Sequence, residues 1–214
     1  MRWYAQIQEE YWGTSYKQLV EVNGEKILHR AVRLLKENGV DDIWITSHNP
    51  VHEVDGTKRY EPPHNEYEID KFYSPVHLWN KKGGYTLFVY GDVFFTEEAM
   101  KRIVATDTKD FLFFGRFHWS HFTGHGGEIF AIKVKDHSFF QECCLWIRNN
   151  YIATKGHVRC GAWELYRCMN GIVDERISYH SPYSHFVGID DFTDDFDTPG
   201  HFENWLSLYE KSKE

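Results

Sequence analysis

The stretch Tyr85-Thr-Leu-Phe-Val-Tyr-Gly-Asp-Val-Phe-Phe-Thr96 constrains the fold of this chain more than any other. Leu87 to Tyr90 is a β-branched and aromatic run of the kind that forms a strand buried on both faces. Gly91 and Asp92 end it at once, and Thr96 with Glu97 and Glu98 supplies an N-cap and an acidic first turn for a helix over Glu97 to Val104. Asp92 is therefore expected just past the carboxyl end of a central strand, where open α/β sheets place their ligands. A simple turn residue and a ligand-holding carboxylate are both consistent with this stretch alone.

The rest of the chain supplies the surroundings of such a strand. Arg2 to Gln8 reads as a first strand, followed by a polar loop from Glu9 to Lys17. Gln18 to Val22 is a short extended piece ended by the turn signal Asn23-Gly24. From Glu25 the pattern becomes helical: Ile27, Leu28, Ala31, Val32, Leu34 and Leu35 share one face, and Gly39 closes the helix. Asp42 to Thr46 is the next strand, completing a βαβ unit with an implied right-handed crossover. Residues 51–84 carry Pro62-Pro63, three histidines and at most a short helix around Glu66 to Tyr73. They read as a long excursion over the carboxyl edge of the sheet. Asp110 to Gly115 and Glu128 to Val134 are further strands, with helices from Asp136 to Asn149 and from Arg159 to Met169. Ser178 to Ile189 returns to an extended pattern, and Thr198-Pro199 starts a final helix to Lys211. The predicted fold is a single α/β domain over 1–214, a three-layer α/β/α sandwich with a mostly parallel central sheet.

Bulk properties narrow the function. The formal net charge of −8, without a block of Lys or Arg, argues against a broad nucleic-acid surface. A polyanionic substrate then needs a local basic pocket or a metal ion. Cys143, Cys144, Cys160 and Cys168 lack metal-finger spacing and read as buried free thiols, the state kept in a reducing compartment. With no apolar run near ~18 residues and no leader-like start, neither a membrane span nor a signal peptide is expected, and the expected location is the cytoplasm.

Three constellations can carry chemistry. Asp190, Asp191, Asp194, Asp195 and Asp197 crowd the approach to the final helix; such like charges are either solvated or neutralised by a cation. Mg²⁺ or Mn²⁺ takes one or two carboxylates plus phosphate oxygens, so Asp92 meeting one of this tract would form a divalent-metal site. Lys17 lies on the loop between the first strand and first helix, the phosphate end of nucleotide-binding α/β folds, where a lysine can act as a point charge or stay inert. His118, His121 and His125 lie in a glycine-containing loop that reads as a substrate-facing lining rather than a zinc site. Glu128, right after Gly126-Gly127, either reaches a sugar hydroxyl or caps a strand edge.

Together these residues resemble the nucleotidyltransferases of the glycosyltransferase A-type fold. Lys17-Gln-Leu-Val-Glu-Val-Asn-Gly-Glu-Lys-Ile-Leu28 is similar to the family's phosphate-side segment. Phe88-Val-Tyr-Gly-Asp92 resembles its strand ending in a metal-binding Asp, and Phe196-Asp-Thr-Pro199 its second metal-binding element. The order and spacing of the three agree with the family along most of the chain. The resemblance implies Mg²⁺ or Mn²⁺ held by Asp92 and Asp197, with Asp195 a close rival, and phosphate bound by Lys17. It also implies a nucleotide and substrate lining that includes Gln8, Gly13, Gly91, Gly127 and Glu128. The expected partners are a nucleoside triphosphate and a small phosphate or acid, or a nucleotide sugar and an acceptor sugar. A non-catalytic nucleotide-sugar-binding relative is the third alternative. The chain departs from the family at Gln8-Glu-Glu-Tyr-Trp-Gly-Thr-Ser-Tyr16, where a glycine-rich, Arg-bearing loop is usual: only Gly13 is retained, and two glutamates stand beside it.

Overall fold

The computed structural model describes residues 16–63, 66–172 and 184–214. The expected first strand at Arg2 to Gln8, the candidates Gln8 and Gly13, and the beginning of the extended segment from Ser178 lie outside these residues.

The chain enters through a 3-10 turn, Lys17–Leu19, and a hairpin of β1 (Glu21–Val22) and β2 (Glu25–Lys26). Asn23 and Gly24 both adopt positive φ (53° and 78°), the geometry of a tight hairpin turn. Glu25, expected to open the first helix, is spent on this hairpin, and α1 runs Ile27–Glu37. Helix α1 ends where Gly39 turns left-handed at φ 82°. Next come β3 (Trp44–Thr46) and β4 (Lys58–Tyr60), which pair in parallel, and a short α2 (Asp70–Tyr73). The stretch 51–84 is thus tied into the fold: β4 extends a parallel pair, while Ile69, Phe72 and Trp79 are buried in a hydrophobic core.

The main sheet is built from β5 (Thr86–Val89), β7 (Phe111–Arg116), β8 (Glu128–Val134) and β9 (Phe186–Gly188) in the order β5-β8-β7-β9, with β6 (Val93–Phe94) following β5 in the chain. Strand β8 runs antiparallel to both β5 and β7, and β9 runs parallel to β7. Three strands therefore point one way, and β8 is inserted against them. The sheet is mixed rather than mostly parallel. An alternating or fully apolar strand reads the same in either direction, so sequence pattern alone does not reveal the reversal. The expected central strand, β5, pairs among the described residues with β8 alone, and its side chains are half-buried.

Helices cover both faces of the sheet. Helices α1 and α3 (Glu97–Ala105) pack with Phe114, Phe130 and Ala131 in one core. On the other face α4 (His137–Ala153) and α5 (Ala162–Met169) pack with Phe111, Phe113 and Ile132. Along β7, Phe113 and Phe114 enter opposite cores, as strand alternation requires. Thr96 caps α3 by accepting from the Ala99 N–H at 3.1 Å. A third core decides where the acidic tract goes. Trp205 of α6 (Pro199–Lys211) is fully buried among Phe94, Phe196 and Ile27 and donates its indole N–H to the Phe192 carbonyl at 3.0 Å. This anchor holds the two-residue strand β10 (Asp194–Asp195) antiparallel to β6. No described helix is long and apolar enough to cross a membrane.

Candidate active site

The β6/β10 pairing sets Asp195 opposite Val93, one residue from Asp92. Thr198, capping α6 by accepting from the His201 N–H at 3.2 Å, fixes Asp197 at the mouth of the same space. Between them stands Lys17, only 1% exposed, with its Nζ 3.4 Å from Asp92, 3.4 Å from Asp195 and 3.8 Å from Asp197. Three stretches far apart in sequence, at Lys17, Asp92 and Asp195–Asp197, meet here, and Lys17 is buried rather than an exposed loop lysine. Burial alone would lower the Lys17 pKa, but the three carboxylates together raise it, so the ammonium stays charged. Three carboxylates against one ammonium leave two negative charges uncompensated. Burial is also the main cause that raises the Asp195 carboxyl to about 6, Asp197 and Asp92 adding to it against the pull of Lys17. Carboxylate oxygens with that excess charge are of the kind a hard divalent cation takes, but the described side chains whose ligand atoms all lie within 4.8 Å of one another are His125, Glu128 and Asp194.

The other aspartates of the tract have different tasks. Asp190 accepts from the Ser120 hydroxyl at 2.8 Å. Asp191 accepts from Thr96 Oγ1 at 2.5 Å and from the Thr193 N–H at 2.6 Å. Asp194, with no exposure, receives His125 Nδ1 at 3.0 Å and lies 3.5 Å from Arg116 Nη1. The tract is therefore a sorted set of partners, of which Asp195 and Asp197 remain for the Lys17 centre.

Arg116, absent from the sequence-predicted set, organises the floor beside it. It is 3% exposed and donates to the carbonyls of Thr193 at 2.6 Å and Asp191 at 3.0 Å, and to Thr123 Oγ1 at 3.0 Å. A signal existed: a charged residue at the tip of the apolar run Phe111-Leu-Phe-Phe-Gly-Arg116, the same logic that singles out Asp92. Glu128 lies 3.8 Å from Arg116 Nη1, and its buried Oε2 has no hydrogen-bond partner among the described residues. Burial, then Asp195 and Asp194, push its pKa well above the carboxylate range in spite of Arg116.

A pocket of about 120 Å³ opens here, lined by Trp119, His125, Gly126, Glu128, Asp195, Asp197 and His201. Of the three loop histidines, only His125 reaches it; His118 and His121 remain exposed. The loop is held by a close crossing: a Cβ at Gly126 would lie 2.6 Å from the His118 carbonyl oxygen. Gly127 serves the frame, its carbonyl accepting the Trp163 indole N–H at 2.8 Å. Gly91 is buried next to Asp92. A wider groove of about 440 Å³ lies over Glu53 to Arg59, where Arg59 pairs with Glu53 at 2.8 Å.

With this geometry in hand, comparison with known proteins is informative at the level of fold. No family model and no curated protein matches the chain by sequence. The solved structure of CTP:phosphocholine cytidylyltransferase from Streptococcus pneumoniae (LicC) is similar over 91% of this chain and 90% of that one, with a TM-score of 0.52 at 11% identity. The chain thus shares its fold with that solved structure.

Proposed function

We propose that the protein is a Mg²⁺- or Mn²⁺-dependent nucleotidyltransferase that joins a nucleotide from a nucleoside triphosphate to a small phosphate- or acid-bearing molecule. The observation that carries this reading is the convergence of Asp92, Asp195 and Asp197 on the buried Lys17 in a chain with a cytidylyltransferase-like fold. Asp92, with Asp195 or Asp197, would hold the cation, which when bound offsets charge that develops as the phosphate bond breaks. Lys17 adds a fixed positive charge beside the same phosphates and keeps the carboxylates from splaying apart. Its burial means that the charge is delivered in a poorly hydrated site, where it acts more strongly than in water.

One sequence feature favours glycosyl transfer from a nucleotide sugar as a second reading. Residues 8–16 offer a single glycine and two glutamates where a triphosphate-cradling loop would be rich in backbone N–H groups. A diphosphate donor needs less of that cradle. Thermal shift separates the readings. A nucleoside triphosphate is expected to raise Tm only with Mg²⁺ or Mn²⁺ present. A shift with nucleoside diphosphate sugars and none with any triphosphate would transfer the assignment to glycosyl transfer. No shift with either would leave a non-catalytic relative.

A further inference from the structure

Three donors from three separate elements converge beside the Lys17 centre. His125 sits in the loop between β7 and β8, Glu128 opens β8, and Asp194 opens β10. One ligand atom of each lies within 4.8 Å of the other two. His125 Nδ1 and Asp194 Oδ2 are 3.0 Å apart, a separation that suits two donors each roughly 2 Å from one ion. Their backbones are fixed. The His125 carbonyl accepts from the Ser120 N–H at 2.8 Å, Glu128 pairs with Arg116 across β8 and β7, and Asp194 pairs with Phe94. Glu128 adds an independent sign: its Oε2 is buried and has no hydrogen-bond partner among the described residues. Arg116 does not fill that gap. Its protons go to two carbonyls and Thr123 Oγ1 at 2.6–3.0 Å. It stands 3.5 Å from Asp194 and 3.8 Å from Glu128, both longer than the roughly 2.8 Å of a strong charge-assisted hydrogen bond. With Lys17 counted as well, the described residues here set five carboxylates, Asp92, Glu128, Asp194, Asp195 and Asp197, against two cations.

We propose that His125, Glu128 and Asp194 hold a second metal ion, Zn²⁺ or a neighbouring first-row ion, separate from the ion proposed for Asp92 and the Asp195/Asp197 pair. An imidazole nitrogen with two carboxylates is a donor set that Zn²⁺ takes, whereas Mg²⁺ prefers oxygen alone. Mn²⁺ stands at the weak end of the first-row series, so this site holds it less tightly. The imidazole binds as the neutral base, and the Nδ1 proton leaves to solvent as the ion enters. Three protein ligands leave a fourth position for another donor. His125 and Glu128 both line the pocket of about 120 Å³, so that position is open to water or to an oxygen of a bound small molecule. The ion also ties the loop bearing His125 to β8 and β10. The proposal goes beyond nucleotidyl transfer and does not depend on it.

The test is titration of the full chain with Co²⁺ and then Zn²⁺, the metals alone and without nucleotide, in excess Mg²⁺. Wild type should bind a single Co²⁺ with visible d–d absorption, and Zn²⁺ should displace it. His125→Ala and Glu128→Gln should each weaken binding at least about 10-fold, while Asp92→Asn binds as wild type does. Glu128→Gln keeps the size of the side chain, and its circular dichroism separates the loss of a ligand from unfolding. Failure of the wild type to bind Co²⁺, binding unchanged in both His125→Ala and Glu128→Gln, or binding lost in Asp92→Asn would overturn the second site. A near-ultraviolet sulfur-to-cobalt band would also overturn it, by placing the ion on the cysteines. None of these outcomes decides nucleotidyl transfer, which is read separately from the Mg²⁺-dependent thermal shift with triphosphate.

Discussion

Two buried cations sit side by side in this molecule, each among several carboxylates, and they are used in opposite ways. Arg116 is saturated: two carbonyls and a hydroxyl take its protons at 2.6–3.0 Å, and Asp194 and Glu128 stand just beyond at 3.5 and 3.8 Å. Lys17 has no partner closer than 3.4 Å among its three carboxylates, and Asp197, the most distant, is 65% exposed. The planar guanidinium, with five fixed donors, suits a permanent joint, whereas the compact ammonium leaves its neighbours free to regroup around an incoming ion. Arg116 is tied into the frame, whereas Lys17 is held only loosely by its carboxylates.

The contrast predicts unequal costs. Arg116→Met strands the buried Asp194 without its cation and should cost about 3–5 kcal/mol in chemical denaturation. A loss below about 1 kcal/mol would show that Arg116 is no joint. Lys17→Met should cost less, about 1–2 kcal/mol, because water can reach Asp195 and Asp197 and because the lysine's own burial penalty disappears. Added Mg²⁺ should restore part of that loss for Lys17→Met and none of it for Arg116→Met. Equal responses to Mg²⁺ would erase the distinction between the two centres.

Glu128, between the two, gives a smaller effect with a definite sign. Its folded-state pKa lies above its unfolded value. The stability gained from its protonated form is therefore complete below the unfolded pKa and is lost as pH rises toward the folded one. Glu128→Gln cannot titrate. As pH rises above the unfolded carboxylate value it should gain steadily on wild type, by at most about 1.4 kcal/mol per pH unit. Parallel stability curves for the two proteins would mean that Glu128 is solvated.

What sequence could show follows from range. Asp92 after an apolar run, Lys17 on a loop and Asp197 before a Thr-Pro helix start are local patterns, and their meeting in space was legible from them. Helix α1 showed its buried face, but its strong pattern concealed the Glu25–Lys26 strand, which only pairing with Glu21–Val22 creates. The burial of Lys17 was not legible, because it depends on three carboxylates brought in from as far as 180 positions away in sequence. Nor was the joint between Arg116 and Asp194, 78 positions apart and visible only once β7 and β10 are placed. Direction of strands is lost for the same reason: β8 carries a pattern that fits either orientation.

The most direct test of the Lys17 centre is electron paramagnetic resonance of Mn²⁺ in the presence of a nucleoside triphosphate, comparing wild type with Asp92→Asn. Asp92→Asn removes one of several competing negative charges and should fold within about 1 kcal/mol of wild type. Wild type is expected to immobilise Mn²⁺ together with the nucleotide, and Asp92→Asn to leave both free. Equal Mn²⁺ binding by the two proteins would reduce Asp92 to a turn residue and contradict a metal-dependent transferase at this site.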